Sequence, residues 1–210
     1  MANHQLKKFL ERNEHVTLDK TNHTKANGIT WRSPSAASAT GNTQHAAAGK
    51  HLHQLVTSAI LLHCSRGLTA QVTCSDARVD PTEYFGLKVG EALVIRNAGG
   101  RATDAFRSLE VMGSIHPIDL IVVVHHTDCG GLFITEAEIR SKLSNRAPDH
   151  ASAIKHKWFG TFRDVGLDES IRQDVEEIRQ WPFLQAEAQV VGYALDIETG
   201  VIREVAPSVT

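Results

Sequence analysis

The apolar positions of this chain fall into two regimes that meet near residue 68. From Leu68 onward they form short runs separated by polar turns. Leu120-Ile121-Val122-Val123-Val124 is the strongest run, unbroken and mostly β-branched, which suits a strand covered on both faces in a parallel sheet. Ala70 to Cys74 and Ala92 to Ile95 predict two shorter strands. Gln189 to Ile197 and Val201 to Val205, joined by Glu198-Thr199-Gly200, predict a closing pair. Asp80 and Pro81 open a turn or helix, with Tyr84, Phe85 and Leu87 as its apolar contacts. Asn97-Ala98-Gly99-Gly100 predicts a tight turn into a helix through Ala105, Phe106, Leu109, Val111 and Met112, with Thr103 or Asp104 near its start. Further helices are expected in parts of 135–145, 150–163 and 168–180. The last is the most periodic, with Ile171, Val175 and Ile178 on one face and Asp168 and Glu169 at its positive end. Strands alternating with helices predict an α/β fold. Its sheet is mainly parallel, with four parallel strands plus a C-terminal edge strand, flanked by helices. Ligands gather at the carboxyl ends of such strands, where Cys74, Arg96 and His126 fall.

The first regime is different. Residues 5–18 place Leu6, Phe9, Leu10 and Val16 among charges, a short amphipathic helix within an N-terminal arm over residues 1–20. It is too short to stand alone, so it packs on the domain or on a second subunit. Between Asp19 and Asp76 there is no acidic residue, and Ser33 to Gly49 is rich in Ala, Ser, Thr and Gly. The stretch 33–69 therefore reads as an atypical low-complexity insertion in an otherwise single domain of 210 residues. His45, His51, His53 and His63 cluster in it without a set of Cys or carboxylate partners, which disfavours a second metal site.

Composition narrows the class. A net charge of −2 gives no nucleic-acid footprint. No apolar run reaches membrane-spanning length, and the start shows no basic region followed by an apolar one. The chain has 3 Cys; with two assigned to a metal, Cys64 stands alone, which argues for a reducing compartment rather than a disulfide framework. The expectation is a cytoplasmic enzyme acting on a small molecule.

Two segments carry the chemistry: Cys74-Ser75-Asp76-Ala77-Arg78 and His126-Thr127-Asp128-Cys129. Two thiolates and one imidazole are a zinc donor set, and a catalytic zinc keeps its fourth position for water. On an extended chain Cys74, Asp76 and Arg78 point to one side. A helical turn from His126 brings Cys129 to the same face and leaves the rival ligand His125 to pack nearby. Asp76 and Arg78 are either a working pair beside the metal or an ordinary salt bridge. Asp76 can also turn onto the metal and close it. Gly99 and Gly100 let backbone approach a small substrate, or simply serve the turn. Tyr84 and Phe85 line an apolar pocket or belong to the core.

These segments, with Arg96-Asn97-Ala98-Gly99-Gly100, resemble the β-class carbonic anhydrases, over roughly Leu68 to Val205 and the N-terminal helix. The resemblance implies that Cys74, His126 and Cys129 bind Zn2+ and that Asp76 and Arg78 form a catalytic dyad. It also implies a homo-oligomer, dimer or tetramer, whose N-terminal helices embrace the partner. The implied reaction is reversible hydration of carbon dioxide to bicarbonate and a proton by zinc-bound hydroxide. Two alternatives stay open. One is a carbonyl sulfide or carbon disulfide hydrolase on the same scaffold. The other is a non-catalytic zinc protein whose shell is closed by Cys64. The family's connector before the first strand is shorter than the acid-free one here.

Overall fold

The computed structural model describes residue 4 and residues 6–12 and 67–208. The low-complexity stretch up to residue 66, with its histidines and Cys64, lies outside the described residues. Five strands form one sheet: β1 (Leu68–Cys74), β2 (Leu93–Asn97), β3 (Ile118–His126), β4 (Gln189–Leu195) and β5 (Ile202–Ala206), in the order β2-β1-β3-β4-β5. The first four are parallel and β5 runs antiparallel to β4, as the sequence pattern predicts. β1 begins at Leu68, so the last two residues of the atypical stretch, Leu68 and Thr69, already pair with Ile118 and Leu120.

The central strand shows why an unbroken apolar run was needed. Leu120, Val122 and Val124 face one layer, with Phe85, Val191 and Tyr193; Ile121 and Val123 face the other, with Leu109, Ile171, Val175 and Ile178. The first layer is covered by α1 (residues 6–12) and the single turn α2 (Pro81–Tyr84). The second is covered by α3 (Ala102–Ile115) and α5 (Leu167–Arg179). The helix α4 (Glu136–Arg146) buries no residue and is opened by a capping box between Thr135 and Glu138.

α1 packs on its own domain. Leu6 and Phe9 are buried, and Phe9 meets Phe85 at 5.7 Å between ring centroids. Arg12 donates to Gly86 O at 3.0 Å and pairs with Glu91. That guanidinium holds the Glu91 carboxyl down at about 2.

The helix expected in part of 150–163 is short and of the 3-10 kind. Only a 3-10 turn over Pro148–Ile154 forms there, and no helix continues to residue 163. The chain after it wraps aromatic side chains over Arg101, whose guanidinium lies 5.5 Å from the Trp158 ring and 5.7 Å from Phe162. Gly160 takes φ +67° in this wrap, outside the helical range.

Candidate metal centre

β1 ends at Cys74 and β3 at His126. The strands are parallel and Thr73 pairs with Val124, so both ends reach the same edge of the sheet. The two local geometries expected from sequence are corrected here. The chain does not stay extended past Cys74; it turns, with Val79 N–H donating to Asp76 O at 3.0 Å and Arg78 N–H to Asp76 Oδ1 at 2.9 Å. His126 does not start a helical turn but closes the strand. Asp128 then adopts φ +55°, a left-handed conformation that aspartate tolerates, and this swings Cys129 back toward the strand end.

The result is convergence. One ligand atom each from Cys74, His126 and Cys129 lies within 4.8 Å of the others, and all three residues are buried. The two sulfurs are 4.0 Å apart. His126 Nδ1 is 2.8 Å from Thr127 O, a carbonyl that can only accept, so Nδ1 carries the proton and Nε2 offers its lone pair. Nε2 is buried and without a hydrogen-bond partner. A buried imidazole nitrogen left free beside two thiols is a soft-to-borderline donor set, the kind zinc takes. The Cys74 thiol is pulled down, chiefly by the hydrogen bond from Cys129 and against the opposing effect of burial, with the Asp76 and Gly99 backbones assisting. Cys129 is pushed up by that same contact and by burial. Among the described residues no carboxylate oxygen joins this cluster.

Asp76 is occupied elsewhere. Arg78 Nε donates to its Oδ1 at 3.0 Å and Nη2 to its Oδ2 at 2.7 Å, a two-point pair that holds the carboxyl well below the usual range. Sequence reasoning missed the third member: Arg78 Nη1 also reaches Asp128 Oδ2 at 2.5 Å, and Nη2 reaches Asp128 O at 3.0 Å. It also missed what Arg96 does. Arg96 donates to Cys74 O at 3.1 Å and Asp76 O at 2.6 Å, tying β2 to the turn that carries the dyad.

A cavity of about 350 Å³ opens on this cluster, lined in part by Cys74, Asp76, Gly99, Cys129 and Gly131. Its apolar wall is Ile134, Ile139 and Phe159. Gly99 is on this cavity wall. Gly100 is held behind it at φ +72°, where an added Cβ would stand 3.0 Å from the Cys74 backbone nitrogen. Tyr84 and Phe85 are not on this cavity; they are 2% and 1% exposed. Tyr84 hydrogen-bonds Gln71, and Phe85 meets Tyr193 edge-on at 6.5 Å. Their apolar run packs α2 onto the sheet instead. His125 is buried away from the cluster, stacked on Phe162 at 5.4 Å.

The family profile described as carbonic anhydrase matches residues 69–202. The chain belongs to the β-class carbonic anhydrase family. It is 35% identical over 139 residues to the beta-carbonic anhydrase 1 of Mycobacterium tuberculosis, covering 66% of this chain and 82% of that protein. It is 30% identical over 152 residues to a carbon disulfide hydrolase of an Acidianus species, covering 63% of this chain and 74% of the relative. Among solved structures, the carbonic anhydrase from Glaciozyma antarctica superposes with a TM-score of 0.64 at 33% identity, covering 78% of this chain and 96% of that one. Within the family, then, both carbonic anhydrases and carbon disulfide hydrolases resemble this chain. No helix among the described residues is long and apolar enough to cross a membrane.

Proposed function

We propose that this chain hydrates carbon dioxide reversibly to bicarbonate and a proton, with one zinc ion held by Cys74, His126 and Cys129. The observation that carries the reading is the free, buried His126 Nε2 beside two thiols, with the Asp76 carboxylate turned onto Arg78. Zinc supplies Lewis acidity that makes water a nucleophile near neutral pH. The remaining work falls to side chains. Asp76 accepts a hydrogen bond from the attacking water and orients it. Arg78 keeps Asp76 ionised and away from the metal position, which leaves that position open. Gly99 leaves room for a linear substrate, and Ile134, Ile139 and Phe159 give it an apolar wall.

The substrate has one rival with an observation behind it. The likeness to carbon disulfide hydrolases favours carbon disulfide or carbonyl sulfide, linear molecules that fit the same open position. A non-catalytic role would need a fourth protein ligand; Cys64, the candidate, lies outside the described residues. The assembly is a homo-oligomer, dimer or tetramer. The outer edge of β2, unpaired among the described residues, supports this, with Val94 44% exposed on it. The expected place of work is the cytoplasm.

The test is direct. Purified protein is expected to hold about one zinc per chain and to hydrate carbon dioxide in stopped flow faster than it hydrolyses carbon disulfide or carbonyl sulfide. The reverse preference would give the function to the rival substrates. Cys129→Ser is expected to lose metal and activity together, and full zinc occupancy in that variant would refute the ligand set.

A further inference from the structure

A second charged group lies behind the metal centre, fully out of water. Asp174 on α5 is 0% exposed and the Arg101 side chain 7%. Arg101 Nη2 lies 2.8 Å and Nε 3.1 Å from Asp174 Oδ1. His125 Nε2 is 3.0 Å from Asp174 Oδ2 but is not aligned with it; its aligned acceptor is Gly100 O at 3.3 Å. Asp174 Oδ2 therefore has no hydrogen-bond partner although it is buried. Such an oxygen is costly to keep. An apolar residue there, with another at Arg101, would pack the same space without that cost.

The cost coincides with a junction of three chain segments. His125 immediately precedes His126 on β3. Gly100 is pressed against the backbone of Cys74, as its missing Cβ requires. Arg101 Nη1 reaches Gly160 O at 3.4 Å, and Gly160 lines the cavity. One carboxylate on α5 thus touches, through two side chains, the segments that carry or press upon both strand-end ligands.

We propose that Asp174 is a positioning residue of the metal centre: through Arg101 and His125 it fixes the spacing of the Cys74 and His126 strand ends and so the affinity for the ion between them. The proposal rests on the metal-centre reading above, and not on which small molecule reacts there. The competing account is that Asp174 only balances the charge of Arg101. The two accounts separate in the double variant Arg101→Met/Asp174→Leu, which removes both charges and keeps the volume. Zinc affinity is measured by competition with a chromophoric chelator, the cobalt(II) spectrum reports ligand geometry, and kcat and KM are read for carbon dioxide. The expected result is zinc binding about 10–100-fold weaker, an altered cobalt spectrum, and a fall in kcat with KM little changed. Asp174→Asn, nearly isosteric, is read the same way and is expected to shift affinity and spectrum in the same direction. Parent-like zinc affinity and cobalt spectrum in either folded variant would overturn the proposal. Parent protein that binds zinc but turns over neither carbon dioxide nor carbon disulfide would overturn the activity reading alone, since affinity decides this one.

Discussion

Arg78 and Arg101 each hold an aspartate, but in different media. Arg78 and Asp76 are 49% and 21% exposed, and Arg78 shares itself with Asp128, 58% exposed. Arg101 and Asp174 are 7% and 0% exposed. In water an ion pair contributes about 0–1 kcal/mol to stability, so the Arg78 cluster has little to do with holding the fold. Its two-point geometry instead sets which way Asp76 faces. Removing one partner from a buried pair strands the other charge, at about 3–5 kcal/mol. The same two residue types therefore bear on the facing of one side chain alone where solvent reaches them, and on stability as well where it does not.

Four substitutions test that contrast. Asp174→Ala is expected to have the largest effect, a loss of about 3–5 kcal/mol. In a chain of this size that lowers Tm by about 6–20 °C, read by thermal denaturation. A shift within two degrees would mean that the pair is not a structural charge balance. Asp76→Asn reverses the pattern: stability unchanged within about 1 kcal/mol, zinc retained, and kcat down about 100-fold as the proton acceptor is lost. Stopped-flow rates equal to the parent would reduce the dyad to a salt bridge. Arg78→Ala is expected to cost about tenfold, the worth of one charge-assisted hydrogen bond. It should also move the pH profile upward, because a released Asp76 competes with hydroxide for the open position until higher pH favours hydroxide. A profile that keeps its midpoint would show that Asp76 does not need Arg78 to stay clear. Asp128→Asn keeps the left-handed backbone that asparagine also accepts and removes only the charge. It should cost about two- to fivefold, within the range of an exposed ion pair. A loss as large as that of Arg78→Ala would make Asp128, rather than Asp76, the main anchor of the guanidinium.

Much of the fold was legible because burial writes itself into periodicity. The run from Leu120 to Val124 could only be a strand covered twice, and the register that follows places Cys74 and His126 at one edge. The convergence of Cys74, His126 and Cys129 followed from residue type and strand ends. The local path did not, because neither the turn after Cys74 nor the positive φ of Asp128 has a signature in the apolar pattern. Tyr84 and Phe85 illustrate the limit of residue type: aromatic residues after a metal motif are more often core than pocket wall, and packing against Phe9 and Tyr193 decides for the core. Asp174 had a signal that went unread. It lies on the stripe of Ile171, Val175 and Ile178, three residues after the first and four before the last, where an acid has no place unless something waits for it. The helix expected in part of 150–163 stops at Ile154 for a related reason, since Trp158 and Phe162 follow Arg101 rather than a helical face.

The sheet that carries Cys74 and His126 is closed by its own core on both faces and joined strand to strand by its own hydrogen bonds. A metal ion arriving there meets ligands whose places are already set. Its binding energy is not consumed in ordering the chain, in contrast to small domains that fold only around their ion. Loading and folding are therefore separate events. A strong chelator should strip the ion and leave circular dichroism unchanged, and the stripped protein should take up the ion again by simple mixing, at a rate set by access through the cavity mouth rather than by refolding.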